Sequence, residues 1–331
     1  MQAVVVREFG PIGNIAVEER PDPVPGHGEV LVRVGAVAAN FVDTLVIGGT
    51  YQFLPERPFT PGKGPAGTVV ALGSGVTSLA IGDRVLAMAE IGGYAELAVA
   101  PEAQCYRLPD TMDFEQAAAL SLAADTAWFG LRERGRVQAG ESVLVLGATG
   151  AVGLAAIQLA RAFGARVLAG VSSMAKADLV RQAGADEVID LSRENLRDSL
   201  RAQVHEATDG TGADVVLDML GGDIFDAALR ALAWRGRLVV IGFAAGRIPS
   251  VKANYLLVKN IEVSGLQISD YRKRMPALAR SCFEEIFDLY SAGRLQAPPF
   301  RTYPLRDARD ALGALLDRGV KERIVMSVGG S

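Results

Sequence analysis

The sequence predicts an α/β protein of two domains, one β-rich and one built on a doubly wound parallel sheet. Three observations carry this. Residues 143–153 read Val-Leu-Val-Leu-Gly-Ala-Thr-Gly-Ala-Val-Gly and lead into a helical pattern: a buried strand, a glycine turn and a helix start in succession. Short apolar strands then alternate with helices, the rhythm of parallel βαβ units. Before residue 110 the chain instead carries short strand signals separated by Gly and Pro turns.

The early strands are expected at Ala3–Arg7, Val30–Val37, Thr68–Leu72, Arg84–Ala89 and Tyr94–Val99, with turns such as Pro23-Val-Pro-Gly and Gly73-Ser-Gly75 between them. An alanine-rich helix follows at Phe114–Ala124, with Asp110 or Thr111 in its cap region. Strand Ser142–Leu146 leads through the glycine turn to a helix of about 13 residues from Ala151. Its apolar residues Val152, Ala155, Ala156, Leu159, Ala160 and Phe163 fall on the 3.6-residue helical period. Next come strand Arg166–Val171, a helix from about Lys176, and strands at Glu187–Ile189, Asp214–Asp218, Leu238–Ile241 and Ile261–Gly265. The tail holds a helix at Pro276–Ala292, a crossing at Pro298–Tyr303, a helix at Asp307–Arg318 and a strand at Arg323–Val328. This tail lies outside the parallel sheet and returns to the first domain. The division expected is therefore 1–122 plus 268–331 against 123–267.

Composition narrows the function. The 331 residues carry 34 Lys and Arg against 38 Asp and Glu, a net charge of -4 that gives no support to a nucleic-acid partner. No apolar run approaches the ~20 residues that cross a bilayer, and Met1 to Arg7 lack a signal-peptide layout, so a cytoplasmic protein with no membrane partner is expected. Two cysteines, Cys105 and Cys282, make no disulfide framework. With only two histidines, His27 and His205, in different predicted domains, they also make no tetrahedral zinc site. All four read as solvated or packing residues, and no metal is expected.

The turn Gly147-Ala-Thr-Gly150-Ala-Val-Gly153 brings backbone N–H groups and a helix N-terminus to one point, where they can hold a diphosphate. Gly147, Ala148, Thr149, Gly150, Ala151 and Val152 are thus candidate cofactor contacts, and Gly153 lets the helix approach the strand. The second strand ends Gly170-Val171-Ser172-Ser173, with Lys176 one turn later and no carboxylate to accept from a ribose 2′-hydroxyl. Ser172, Ser173 and Lys176 suit a 2′-phosphate, which points to NADPH. Ser173 as a helix cap and Lys176 as a solvated cation is the plainer alternative, and both can hold at once.

Taken with that turn, Asn40-Phe-Val-Asp43, Gly49-Thr-Tyr51-Gln, Pro58-Phe-Thr-Pro-Gly62, Gly82-Asp-Arg84-Val, Gly92-Gly-Tyr94-Ala-Glu96, Thr126-Ala and Gly236-Arg-Leu-Val-Val-Ile-Gly242 occur in this order. Over essentially its full length the chain resembles the zinc-free medium-chain dehydrogenases/reductases of the quinone oxidoreductase type, the group that includes zeta-crystallin. The resemblance implies a GroES-like catalytic domain plus a Rossmann domain, with NADPH in the cleft between them. It also implies a homodimer or homotetramer joined through an edge strand, here Ile261–Leu266. By position Asn40, Asp43 and Tyr51 would line the nicotinamide and substrate pocket. Thr126, Phe243, Leu266 and Arg323 would touch the cofactor. Zinc-binding relatives carry one ligand where Asn40 stands and a His-Glu pair where Lys63-Gly64 stands. Many zinc-free relatives keep an acidic residue at the position of Gly64, and several have a Tyr where this chain has Leu191, a place Arg193 is near enough to serve.

The activity implied is NADPH-dependent reduction of a quinone or enone. Tyr51 is the candidate donor to the carbonyl oxygen, or else a loop aromatic packing over the cleft; Asp43 is an orienting group or a structural acceptor for loop N–H groups. Two alternatives stand beside it: an enoyl-thioester or acrylate reductase, for which Arg272, Lys273 and Arg274 could form a basic rim, although a solvated charge run is the commoner reading of such a cluster, and a non-catalytic NADPH-binding protein.

Overall fold

The computed structural model describes residues 1–317 and 322–329. The chain divides into two compact units.

The first unit comprises Met1–Leu122, Arg272–Phe287 and Ala297–Ser331. Its main sheet has seven strands. Along it run Phe300–Pro304, Arg323–Ser327, Glu29–Ala38, Ala66–Leu72, Arg84–Ala87 and Cys105–Arg107, while Leu97–Pro101 pairs with Glu29–Ala38 off this path. All pairings are antiparallel except Phe300–Pro304 with Arg323–Ser327. A separate ribbon pairs Gln2–Val5 with Ala16–Glu19. The return of the tail to this unit follows from the pairing of Val325 with Ala38. The core gathers Val4, Val34, Val37, Ile47, Tyr94, Leu312, Ile324 and Met326 from both ends of the chain.

Several element boundaries differ from expectation. The strand expected at Tyr94–Val99 begins at Leu97, because the Tyr94 N–H is taken by the Pro61 carbonyl in a loop contact. The helix from Phe114 runs on to Trp128 and continues as a π-helical stretch, Phe129–Arg134. Its cap is Asp113 rather than Asp110 or Thr111: Gln116 N–H donates to Asp113 Oδ1 (2.6 Å) while Asp113 N–H donates to Gln116 Oε1 (3.1 Å), a reciprocal capping box. The crossing at Pro298–Tyr303 is a strand, Phe300–Pro304, since its backbone completes a parallel ladder. The helix expected at Asp307–Arg318 is Ala308–Leu316; Arg318 lies outside the described residues.

The second unit comprises Ala123–Tyr271 and Asp288–Gln296. Arg294 donates to the Ala162 carbonyl (2.5 Å), and Gln158 and Gln296 exchange hydrogen bonds, tying 288–296 to this unit. Its sheet has six strands in the order Glu187–Asp190, Arg166–Val171, Ser142–Leu146, Ala213–Asp218, Leu232–Val240, Glu262–Gly265. Every pairing is parallel. The chain order therefore reverses between Ser142–Leu146 and Ala213–Asp218. Such a switch point is where open parallel sheets bind ligands, at the carboxyl ends of the strands. Ser142–Leu146 is buried at every residue, as a strand covered on both faces must be. Two elements depart from expectation here as well. The strand placed at Leu238–Ile241 starts at Leu232, interrupted where the register jumps from Ala213/Leu232 to Val215/Arg237. The helix expected from about Lys176 opens as a 3₁₀ turn, Met174–Lys176, before Ala177–Gln182, because the Ser173 side chain caps at Ala175.

Candidate active site

In the second unit the glycine turn is built as its sequence requires. Gly147 has φ +78°, a conformation that disfavours any side chain. A Cβ on Gly153 would stand 2.3 Å from the Gly147 carbonyl oxygen and 2.7 Å from Ala148 Cα, so only glycine lets the helix start against the turn. Helix Ala151–Ala162 begins directly after Gly150, with no side-chain cap on its N-terminal N–H groups. Across the switch point, the buried Asp218 carboxylate accepts from the N–H groups of Leu220 (2.8 Å) and Gly221 (3.0 Å). This fixes the loop whose Leu220 and Met219 side chains pack on Gly147. Burial raises the Asp218 carboxyl above its usual range, and the two N–H donors pull it back.

The end of the second strand presents Ser172 exposed, with Ser173 and Lys176 half-buried. Ser173 Oγ accepts from Ala175 N–H (3.3 Å), so the capping role is realised. Arg193 is exposed, its Nε 3.8 Å from Asp190, whose oxygens also accept from Ser192. Leu191 is buried. Phe243 is partly exposed beside Gly221, Leu266 N–H donates to the Val240 carbonyl (3.0 Å), and Thr126 is buried near the end of its helix.

In the first unit the structure brings together Asn40, Asp43 and Arg323. Asn40 stands at the start of helix Phe41–Ile47, and its N–H donates to Asp43 Oδ2 (2.9 Å) one turn on. Its side-chain amide is fixed at both ends: Nδ2 donates to the Ala38 carbonyl (3.1 Å), and Oδ1 accepts from Arg323 Nη2 (2.9 Å). Burial pushes the Asp43 carboxyl up to about 6, while the Tyr94 hydroxyl, the Asn40 N–H and the Lys63 charge act in the other direction. Burial, with Asp43 beside it, holds the Tyr94 phenol well above its usual range. Burial also lowers Arg323, against the pull of Tyr94 and Asp43.

Tyr51 is half-buried, edge-on to Phe53 with ring centroids 6.4 Å apart. The Lys63 ammonium stands over its ring, 5.8 Å from the centroid. Lys63 is itself buried and ion-paired with Glu90, whose other oxygen faces Arg272 Nη1 at 3.4 Å. Arg272 is only 1% exposed and faces Glu90, so neither a basic rim nor a solvated charge run of Arg272, Lys273 and Arg274 includes its first member.

Sequence reasoning did not assign roles to Tyr94, Lys63, Glu90 or Asp218. One signal was present for Tyr94: Gly62, in Pro61-Gly62, has φ +100°, and a Cβ there would lie 2.3 Å from the Tyr94 ring. The sequence does not reveal which ring requires that glycine.

Comparison with known proteins places this architecture. Residues 26–110 match the alcohol dehydrogenase GroES-like domain, and residues 151–284 match the family described as zinc-binding dehydrogenase. The chain is 39% identical over 305 residues to a quinone oxidoreductase-like protein 2 homolog of Nematostella vectensis, covering 91% of this chain and 82% of that one. The chain belongs to the quinone oxidoreductase family of medium-chain dehydrogenases/reductases. Among solved structures, a mycobacterial quinone oxidoreductase superposes with a TM-score of 0.92 at 35% identity, covering 99% of both chains. An Escherichia coli quinone oxidoreductase complexed with NADPH superposes with a TM-score of 0.89 at 29% identity, covering 99% of this chain and 100% of that one. The two units of this family member are thus a GroES-like domain and a Rossmann domain. Among the described residues no helix is long and apolar enough to cross a membrane.

Proposed function

We propose that this oxidoreductase uses NADPH to reduce a quinone or an α,β-unsaturated carbonyl compound by hydride transfer without a metal. The observation that carries the reading is the switch-point turn: a fully buried strand, Gly147 at φ +78° and an uncapped helix start in direct succession. At the end of the neighbouring strand stand two serines and Lys176 in place of a carboxylate.

These residues fit NADPH. Gly147, Ala148, Thr149, Gly150, Ala151 and Val152 would hold its diphosphate on backbone N–H groups and the helix N-terminus. Ser172, Ser173, Lys176 and Arg193 would meet the 2′-phosphate, the hydroxyls as donors and the cations as counter-charge. Thr126, Phe243, Leu266 and Arg323 would complete its contacts. When bound, NADPH supplies hydride from nicotinamide C4.

The chain's own part is to orient the acceptor and to meet the negative charge that develops on its carbonyl oxygen. Tyr51 donates its hydroxyl to that oxygen. Asn40, with its amide held by Ala38 and Arg323, presents a fixed edge to the substrate. Asp43 keeps Asn40 in place by accepting from its N–H. The metal-free reading rests on the ligand inventory of two Cys and two His. Among the described residues no three His, Cys, Asp or Glu side chains converge on one point. The strand Glu262–Gly265, at the end of its sheet, is the surface through which a homodimer or homotetramer would form. Light scattering on the eluted protein measures that state.

The test is a spectrophotometric screen of NADPH oxidation over simple quinones, enones and enoyl-CoA thioesters. Turnover of quinones or enones is expected. Faster turnover of the thioesters would move the assignment to an enoyl reductase. NADPH binding with no oxidation across the panel would leave a binding protein and sink the enzymatic reading.

A further inference from the structure

We propose that Lys63 is a positioning residue for reduction, acting through Tyr51: its ammonium holds the Tyr51 ring and strengthens the Tyr51 hydroxyl as a donor to the substrate's oxygen. The inference rests on the functional reading above, in which Tyr51 is that donor.

A buried lysine needs a reason. Lys63 is 4% exposed, and burying an ammonium is costly unless charge and hydrogen bonds compensate it. Glu90 provides the counter-charge, and Arg272, itself buried, holds the far oxygen of Glu90. The ammonium is thereby kept in one position over the face of Tyr51, 5.8 Å from the ring centroid. A cation at that distance is attracted by the ring's electron density and fixes its orientation. It also draws density from the ring, which leaves the hydroxyl hydrogen more positive and favours any negative charge arriving near it.

The backbone that carries Lys63 is rigid. The Tyr94 N–H donates to the Pro61 carbonyl (2.9 Å), Gly93 N–H to the Gly62 carbonyl (3.0 Å), and Gly64 N–H to the Ala89 carbonyl (3.3 Å). On either side of Lys63, Gly62 and Gly64 both have positive φ, and Gly62 packs directly under the Tyr94 ring. Tyr94 in turn donates to Asp43, whose carboxylate feels the Lys63 charge. The lysine is therefore held in a fixed relation to three of the side chains assigned to the reaction or supporting it: Tyr51, Asp43 and, through Asp43, Asn40.

A double-mutant cycle between Lys63→Met and Tyr51→Phe tests the dependence. In the parent enzyme Lys63→Met is expected to lower kcat for a quinone about tenfold, the size of a well-placed ionic contribution. KM and NADPH affinity are expected to stay within about twofold, and Lys63→Arg to recover part of the loss. In the Tyr51→Phe background the same substitution is expected to change kcat by less than about twofold. The cycle is repeated without cofactor by calorimetry, using 4-nitrophenolate as an oxyanion mimic. Lys63→Met is expected to weaken its binding about tenfold only when Tyr51 is present. If Lys63→Met leaves an unfolded chain, Lys63→Gln, which removes the charge but keeps a donor for Glu90 while Glu90 stays paired with Arg272, takes its place. Equal losses in both backgrounds, or unchanged turnover and mimic binding, would overturn the inference. If Tyr51→Phe alone keeps full turnover, the donor role assigned to Tyr51 falls first, and the inference falls with it. An inactive parent enzyme overturns the functional reading instead, while the mimic-binding cycle still decides whether Lys63 acts through Tyr51.

Discussion

The Tyr94 hydroxyl donates to Asp43 Oδ2 at 2.7 Å, on the same oxygen that accepts the Asn40 N–H. A phenol on one strand-end loop thus sets the start of the helix that carries Asp43. Replacing Tyr94 by Phe leaves a buried carboxylate short of its strongest donor. The expected loss is about 1–3 kcal/mol of stability, read by urea denaturation at pH 8. A Tyr94→Phe protein as stable as the parent would show that the bond contributes nothing.

Asp43 makes stability depend on pH in an uncommon direction. Its carboxyl, near 3.8 in an unfolded chain, is raised to about 6 in the fold. Below 3.8 both states are protonated and no penalty exists. Between 3.8 and 6 the folded state holds the proton that the unfolded chain has lost, so this group's contribution falls as pH rises and stays low above 6. The full penalty is on the order of 3 kcal/mol. Asp43→Asn removes the charge, and its single amide oxygen can still accept from both Tyr94 and Asn40. The stability of Asp43→Asn relative to the parent is therefore expected to improve by up to about 3 kcal/mol from pH 4 to pH 7.5. A difference that stays flat over that range would place the carboxyl's titration elsewhere.

Gly153→Ala puts a methyl 2.3 Å from the Gly147 carbonyl oxygen, a backbone atom that cannot swing aside. The turn must open for the helix to fit. NADPH affinity, followed by quenching of protein fluorescence, is expected to fall at least about tenfold. Gly150→Ala meets only an ordinary contact, 3.4 Å from the same oxygen, so it leaves the fold undisturbed and serves as the control for folding.

Cofactor choice is expected to rest on the end of the second strand. Lys176→Ala should weaken NADPH binding about tenfold and leave NADH unchanged, because only the former carries the 2′-phosphate that an ammonium can meet. Ser172→Asp should go further and reverse the preference. Equal loss toward both coenzymes would mean that Lys176 supports the turn and makes no phosphate contact.

The Rossmann unit was legible from sequence because its signals are local. Buried strands such as Ser142–Leu146 and Arg166–Val171 read as unbroken apolar runs, and the turn glycines sit where backbone sterics demand them. The GroES-like unit was harder. Phe300–Pro304 is a strand because of what it pairs with, and its own residues do not announce it, while the strand expected at Tyr94–Val99 is present with its bounds shifted to Leu97–Pro101. Capping shows the same limit: Asp113 and Gln116 satisfy each other's N–H groups, yet Asp110 and Thr111 are equally good capping residues by type. At the candidate site, Asn40, Asp43 and Tyr51 could be placed by motif. The Lys63–Glu90–Arg272 cluster could not, since its members lie 27 and 182 positions apart and meet only in the fold.

Strand Arg323–Ser327 lies between Phe300–Pro304 and Glu29–Ala38, and Arg323 bonds Asn40 across 283 positions. During synthesis the Ala36–Ala38 end of strand Glu29–Ala38, which Leu97–Pro101 does not reach, therefore waits with one side open until almost the whole chain has emerged. The Rossmann unit, mostly contiguous, can close meanwhile. A clipped tail would leave a molecule with its coenzyme turn intact and, in the other unit, an open strand end ready to recruit a stranger's strand.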